Sequence, residues 1–367
     1  MLSAELYPPE RLVAAQRATA GVGLDALLIT PGSDLRYLTG YDAHAQERLT
    51  CLVVPARGEP TLIVPTLERP AAEVATRGLR IVDHRDGDDP YPLVVEALDG
   101  PPSVVALGDR MWAAQVLGLR AALPGTEQRL AGDVLAELRM RKSPAEVEAL
   151  RAAGAAIDAV HDRMGEWLRP GRTERQVGVD IAEAILAAGH ATVDFVIVAS
   201  GPNGASPHHG TADRVIREGE PVVVDIGGTM PSGYCSDSTR TYVVGRPPAD
   251  VADFYAVLRA AQRAAVDAVR PGVTCEQVDA AARDLIAGAG YGAAFLHRTG
   301  HGIGLDGHEE PYIVAGNDRP LEPGMAFSIE PGIYLAGHAG ARIEDIVVCA
   351  GGGADVLNTT TTELAEL

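Results

Sequence analysis

The chain is poor in cysteine, in positive charge and in long apolar runs, and each shortage removes a class of function. Its four cysteines, Cys51, Cys235, Cys275 and Cys349, lie far apart and form no CxxC pair. That excludes a zinc ribbon or a thioredoxin-like motif and argues against a disulfide framework. Lysine and arginine number 31 against 50 acids, a formal charge of −19. With no basic stripe to neutralise phosphates, neither nucleic acid nor an anionic membrane is an expected partner. No window approaches the roughly 18–20 apolar residues needed to cross a bilayer. The opening MLSAELYPPERL has acids and prolines where a signal peptide needs a basic start and an apolar run, so a cytoplasmic location is expected. The N-terminal third carries no phosphate-binding glycine fingerprint.

What is present fits two domains. At 367 residues the chain is long for one core, and 46% hydrophobic content supports a large one without staples. Residues 1–130 alternate helical patterns (PERLVAAQRATAG, LERPAAEVATR, RMWAAQVLGLRAAL) with short strands (LDALLIT, TCLVVP, PTLIVP, LRIVDH, SVVALG), as an α/β layer does. Residues 131–143 read as a linker helix region. A new helix starts sharply at Ser143-Pro144, with Ser143 as N-cap and Glu146 at the third position. From 144 to 367 the pattern is α+β: a helix over 173–188, the strand VDFVIVAS, the loop SGPNGASPHHG, two strands, helices over 250–269 and 275–289, then strands and glycine turns.

Five residues in that half carry chemistry. Asp225 (VVVDIGG), Asp237 (CSDSTRTYVV), His301 (HRTGHGIGL), Glu330 (AFSIEPGIY) and Glu344 (ARIEDIVV) sit in or beside apolar strands. A buried carboxylate there shifts its pKa, finds a cation or destabilises the fold. Any one of them alone reads as a salt-bridged core acid. Four acids and an imidazole in matching contexts are best explained by a shared pair of divalent metal ions. The Asp225–Asp237 segment, strand, glycine turn, strand, is echoed by Glu330–Glu344, which suggests two half-domains about a pseudo-twofold axis. On strands, Asp237, Thr239 and Thr241 share a face and Arg240 points away; Glu344 shares a face with Arg342, which leaves Asp345 as a polar partner on the outer face.

Oxygen ligands with one imidazole suit manganese, cobalt or iron(II), whereas zinc usually gathers more nitrogen or sulfur. Two such ions roughly 3.5–4 Å apart can bridge a water and present hydroxide at neutral pH. His208, His297 and His308 stand in glycine-rich loops beside these residues, where imidazoles can donate to a carbonyl or a developing oxyanion. Only one of the adjacent His208 and His209 is expected to face inward. His44, His84, His161, His190 and His338 read as structural or surface residues, and Cys235 as a small buried thiol.

These motifs, in this order, resemble the pita-bread metallopeptidases: methionine aminopeptidase, aminopeptidase P and prolidase. DLRYLTGY followed by QERLTCLVVP is similar to the creatinase-type domain that precedes the catalytic half in the last two. The resemblance implies that Asp225, Asp237, His301, Glu330 and Glu344 hold two metals. It implies that Glu330 passes a proton from the attacking water to the leaving amine, and that His208 and His308 contact the scissile carbonyl. The implied reaction is hydrolysis of an Xaa–Pro bond in a dipeptide or short peptide. Alternatives are an aminopeptidase P acting on longer peptides, a hydrolase of non-peptide amides, and a non-catalytic binding protein, which would usually have lost ligands. Some prolidases have arginine directly after HEEP; here Tyr312 stands there, so Arg342, or Arg48 from a neighbouring subunit, is the expected cation for a substrate carboxylate. The resemblance also implies a homodimer, with the loop YDAHAQERL as the candidate cap.

Overall fold

The computed structural model describes residues 5–76 and 78–367. The chain divides into two compact units, Met1–Arg139 and Met140–Leu367, at a point inside the segment read from sequence as a linker.

The N-terminal unit is built on strands β1 (Ala26–Ile29), β2 (Cys51–Pro55), β3 (Thr61–Pro65), β4 (Arg80–His84), β5 (Val104–Leu107) and β6 (Glu127–Leu130). Their order in one mixed sheet is β4-β3-β2-β1-β5-β6. Every residue of β1, β2 and β3 is buried, which is why these strands read as unbroken apolar runs rather than alternating ones. The helices are α1 (Glu10–Gly21), α2 (Ser33–Thr39), α3 (Arg69–Thr76), α4 (Tyr91–Glu96), α5 (Ala113–Ala122) and α6 (Gly132–Arg139). Sequence patterning missed β6 and α4. Strand β6 (EQRL) is polar and largely exposed at the sheet edge, so no apolar signal marks it.

The C-terminal unit has two halves of similar plan. The first contains α7 (Pro144–His161), α8 (Met164–Trp167), α9 (Glu174–Ala187) and the antiparallel meander β7 (Thr192–Ser200), β8 (Pro221–Thr229) and β9 (Cys235–Val243). The second contains α10 (Ala249–Ala268), α11 (Cys275–Gly288), β10 (Gly300–Gly302), β11 (Glu309–Ile313), β12 (Ala326–Ile329), the hairpin β13 (Gly332–Leu335) and β14 (Ala339–Arg342), then β15 (Asp345–Ala350) and β16 (Gly353–Val356). Here β10, β12 and β15 form the antiparallel meander. A two-residue strand β17 (Ala365–Glu366) adds in parallel to β9.

The repeat is visible at the residue level. RPGRTERQV enters α9 and RPGVTCEQV enters α11. In both, the threonine (Thr173, Thr274) and the glutamine three residues on cap one another reciprocally. The preceding glycines, Gly171 and Gly272, both adopt a positive φ, 88° and 87°, a conformation open to glycine but strained for other residues. Each then donates its N–H to a loop carbonyl, Ile216 at 3.0 Å and Leu321 at 2.9 Å. Each half buries its own core. Leu258, Phe254 and Ile286 pack behind Phe327 and Val347 in one, and Ile157, Val177 and Ile181 behind Val224 and Ile226 in the other.

One expectation is corrected. Asp345 does point away from Glu344, but it is buried rather than on an outer face. It pairs with Arg240 at 2.6 Å and accepts from Gln262 at 2.7 Å. All four cysteines are free and buried. Among the described residues, no helix is long and apolar enough to cross a membrane.

Candidate metal centre and active site

Asp225 on β8 and Asp237 on β9 come together because the hairpin register places Asp237 opposite Gly227 and Asp225 opposite Thr239, putting both acids on one face. Gly227 is required there: a Cβ would lie 2.5 Å from the Phe195 ring. The other half brings its acids together similarly. Ile329 pairs with Asp345 at the end of the β12–β15 ladder, so Glu330 and Glu344 leave the sheet side by side. His301, on β10, is buried.

These side chains converge. Three sets, Asp225–Asp237–Glu344, His301–Glu330–Glu344 and Asp237–His301–His308, each place one ligand atom per residue within 4.8 Å of the others. His301 Nε2 is 3.2 Å from Glu330 and 3.7 Å from Asp237. Its Nδ1 lies 3.1 Å from the Gly302 carbonyl. A carbonyl only accepts, so Nδ1 carries the proton and Nε2 offers its lone pair to the acids.

Electrostatically the cluster is unfavourable as bare protein. Burial, then the neighbouring carboxylates, push Asp237 and Glu344 well above the ordinary acid range. Burial likewise pushes Glu330 up to about 7. Burial drives His301 the other way, down to about 3, which keeps the ring neutral. Two carboxylate oxygens, Asp225 Oδ1 and Glu344 Oε1, are buried with no hydrogen-bond partner among the described residues. Orphaned, crowded acids beside a neutral imidazole are a donor set for hard or borderline divalent cations. The first two sets share Glu344.

Other partners hold these side chains in place. Glu344 Oε2 accepts from the Thr239 hydroxyl at 2.7 Å, and Ser328 donates to Glu330 at 3.2 Å. Arg342 donates to Asp225 Oδ2, to the Tyr334 hydroxyl at 2.8 Å and to Thr239 at 3.1 Å. Fully buried in that network, Arg342 supports Asp225 and has no free fork for a substrate. His297 completes the line. Its Nδ1 donates to the Arg298 carbonyl at 2.7 Å, so its Nε2 accepts from Tyr334 at 2.8 Å. Both ring nitrogens are therefore used inside the protein.

A cavity of about 520 Å³ opens onto the cluster, walled by Phe195, Ile197, His208, His297, Arg298 and His308. His208 and His308 are exposed at it. The His301 and His308 rings lie 3.8 Å apart. Arg298 Nη2 is 3.2 Å from His308 Nδ1. A guanidinium only donates, so Nδ1 accepts and His308 Nε2 bears the proton, ready to donate. His209 instead bonds the fully buried Glu174 at 3.0 Å, which also accepts from Ser200 and Asn203 and so ties down the loop carrying His208. Tyr312 is not a wall of the cavity; its ring carries the Arg298 guanidinium 4.3 Å above its centre. Arg48 lies in the N-terminal unit, bonded to Gln46 at 3.2 Å.

Reading the sequence missed Arg298, Phe195 and Ile197. The last two were legible as alternate positions of VDFVIVAS that share a face. Arg298 lay inside HRTGHG, beside a histidine already singled out.

Comparison with known proteins decides the family. Residues 148–350 match the family model of Metallopeptidase family M24, and residues 11–141 that of the Creatinase/Prolidase N-terminal domain. The chain belongs to metallopeptidase family M24. It is similar to the Xaa-Pro dipeptidase of Lactobacillus delbrueckii subsp. lactis, 36% identical over 94% of this chain and 95% of that one. Among solved structures, dipeptidase PepE from Mycobacterium ulcerans superposes with a TM-score of 0.93 at 59% identity, covering 97% of this chain and 96% of that one. The recombinant prolidase from Thermococcus sibiricus gives 0.91 at 38% identity, covering 97% and 98%. As an M24 metallopeptidase the chain is a peptide hydrolase, and the acidic cluster offers candidate groups for the divalent metal ions that the family implies.

Proposed function

We propose that this M24 peptidase hydrolyses the Xaa–Pro bond of dipeptides, using two divalent cations held by Asp225, Asp237, His301, Glu330 and Glu344. The observation that carries the reading is the convergence of three buried carboxylates, a partly buried fourth and a neutral imidazole, two oxygens orphaned among the described residues, at the floor of one cavity. The relatives' names, Xaa-Pro dipeptidase and prolidase, supply the bond type. Manganese or cobalt suits the oxygen-rich set best, with iron(II) and zinc as alternatives. When bound, such ions supply Lewis acidity and a water acidic enough to attack at neutral pH.

The protein's own residues do the rest. Glu330 lines the cavity beside His301, where a carboxylate can accept a proton from water and pass it on. It takes one from the attacking water and returns it to the proline nitrogen as the C–N bond breaks. An amide nitrogen leaves only once protonated, and the proline nitrogen, which carries no hydrogen in the substrate, departs with that proton as a secondary amine. His308, with Nε2–H fixed by Arg298, donates to the carbonyl oxygen as it gains charge, and His208 approaches from the facing loop. Phe195 and Ile197 offer an apolar wall to the side chains, and His297 lines another side. We place the enzyme in the cytoplasm as a homodimer, with the 41–49 loop as its cap.

The test is release from Ala-Pro and from Ala-Pro-Ala by protein stripped with chelator and reloaded with Mn²⁺ or Co²⁺. Metal-restored cleavage of Ala-Pro is expected. Preference for the tripeptide would make the chain an aminopeptidase P, and cleavage of neither would overturn the reading.

A further inference from the structure

We propose that Arg298 is the residue that receives the free C-terminal carboxylate of the dipeptide, with Tyr312 as its platform. The inference rests on the Xaa–Pro dipeptidase reading and names how that substrate is recognised. A dipeptide must bring an anion into a cavity that already holds four acids, so it needs a cation close to the scissile bond. Among the described residues, two arginines line the cavity, Arg298 and Arg342. Arg342 is buried and committed to Asp225, Tyr334 and Thr239.

Arg298 is partly exposed and makes no ion pair among the described residues; its contacts are His308 Nδ1 at 3.2 Å and the Tyr312 ring at 4.3 Å. One of five N–H donors goes to His308, which leaves edges of the planar fork for a carboxylate. Stacking on Tyr312 restrains the flexible side chain before substrate arrives. The position fits the chemistry. In an Xaa–Pro dipeptide only the proline nitrogen and Cα separate the scissile carbonyl from the carboxylate, and Arg298 is bonded to the imidazole assigned to that carbonyl. A residue added after proline replaces this anion with a neutral amide. Arg298 thereby sets substrate length.

The experiment compares kcat/KM for Ala-Pro and for Ala-Pro-amide, which lacks the charge, in the metal-loaded wild type, Arg298→Gln and Arg298→Lys. The wild type should favour the acid. In Arg298→Gln the acid should lose roughly 10–100-fold, mainly in KM, while the amide loses far less, so that the acid/amide ratio collapses toward one. Arg298→Lys keeps the charge but not the fork and should retain part of the ratio. A merely structural role would lower both substrates together. An unchanged ratio in Arg298→Gln overturns the inference and leaves the dipeptidase reading standing. A wild type that cleaves neither substrate removes both.

Discussion

Glu344 and Asp345 are consecutive in the chain and serve opposite sides of it. Glu344 turns into the acidic cluster with one oxygen on Thr239 and the other unpartnered among the described residues, while Asp345 turns away into a buried pair with Arg240. Arg240 in turn also donates to the Glu344 carbonyl at 2.6 Å. The same arginine thus fixes the backbone from which Glu344 projects.

The two neighbours should fail differently. Glu344→Gln is expected to lose metal and turnover while the fold persists, because it removes an anionic ligand from a site that is crowded without metal. Asp345→Asn leaves Arg240 buried without its counter-charge and should cost about 3–5 kcal/mol of stability. Metal analysis and thermal melting separate them; equal melting temperatures would contradict the buried pair.

Arg342→Gln should weaken metal binding about 10–100-fold, the usual scale for losing a group that orients a ligand. Chelator competition measures it. Unaltered affinity would mean that Arg342 does not hold Asp225 for the ion.

His308→Ala should keep its metal yet turn over about 10²–10³-fold more slowly. Metal content by spectrometry and kcat on Ala-Pro check this. Wild-type turnover would remove the carbonyl-donor role.

The stabilisation that metal confers should grow as pH rises from about 4.5 to 7. Glu330, with a folded value of about 7 against an ordinary 4.5, favours the metal-free fold below pH 4.5, and that contribution is lost as pH rises through 7. Asp237 and Glu344, also raised, act in the same direction. Metal requires these groups deprotonated, so it competes with protons at acid pH and replaces them at neutral pH. Buried neutral histidines such as His161, held down at about 3 by burial, act oppositely. Their stabilisation is lost as pH falls, but it does so with and without metal and cancels in the difference. Melting temperature with and without Mn²⁺ across this range is the measurement; a constant difference would contradict the displacement of protons.

The fold was legible where burial leaves a periodic or apolar trace. Ser143 caps α7 as its spacing with Glu146 foretold, and β1, β2 and β3 announced themselves as apolar runs. The repeat was only half read. Acids on strands drew attention, whereas the paired RPGxT entries to α9 and α11 are the clearer copy, because both keep the same turn and the same cap. Strand β6 escaped because an exposed edge needs no apolar residues.

At the site, residue type and local context were enough to single out Asp225, Asp237, His301, Glu330 and Glu344, since isolated acids in apolar strands demand an explanation anywhere in a chain. Which polar groups spend their hydrogen bonds internally is another matter. Arg342 and His297 looked available and are bound into a line ending on Asp225; Asp345 looked exposed and is buried on Arg240; Arg298 looked unremarkable and stands over Tyr312, bonded to His308 and without an ion pair among the described residues. Sequence determines what a side chain can donate or accept. Only the tertiary structure, by bringing together residues more than a hundred positions apart, decides which of those capacities remain unused, as Asp225 Oδ1 and Glu344 Oε1 do among the described residues.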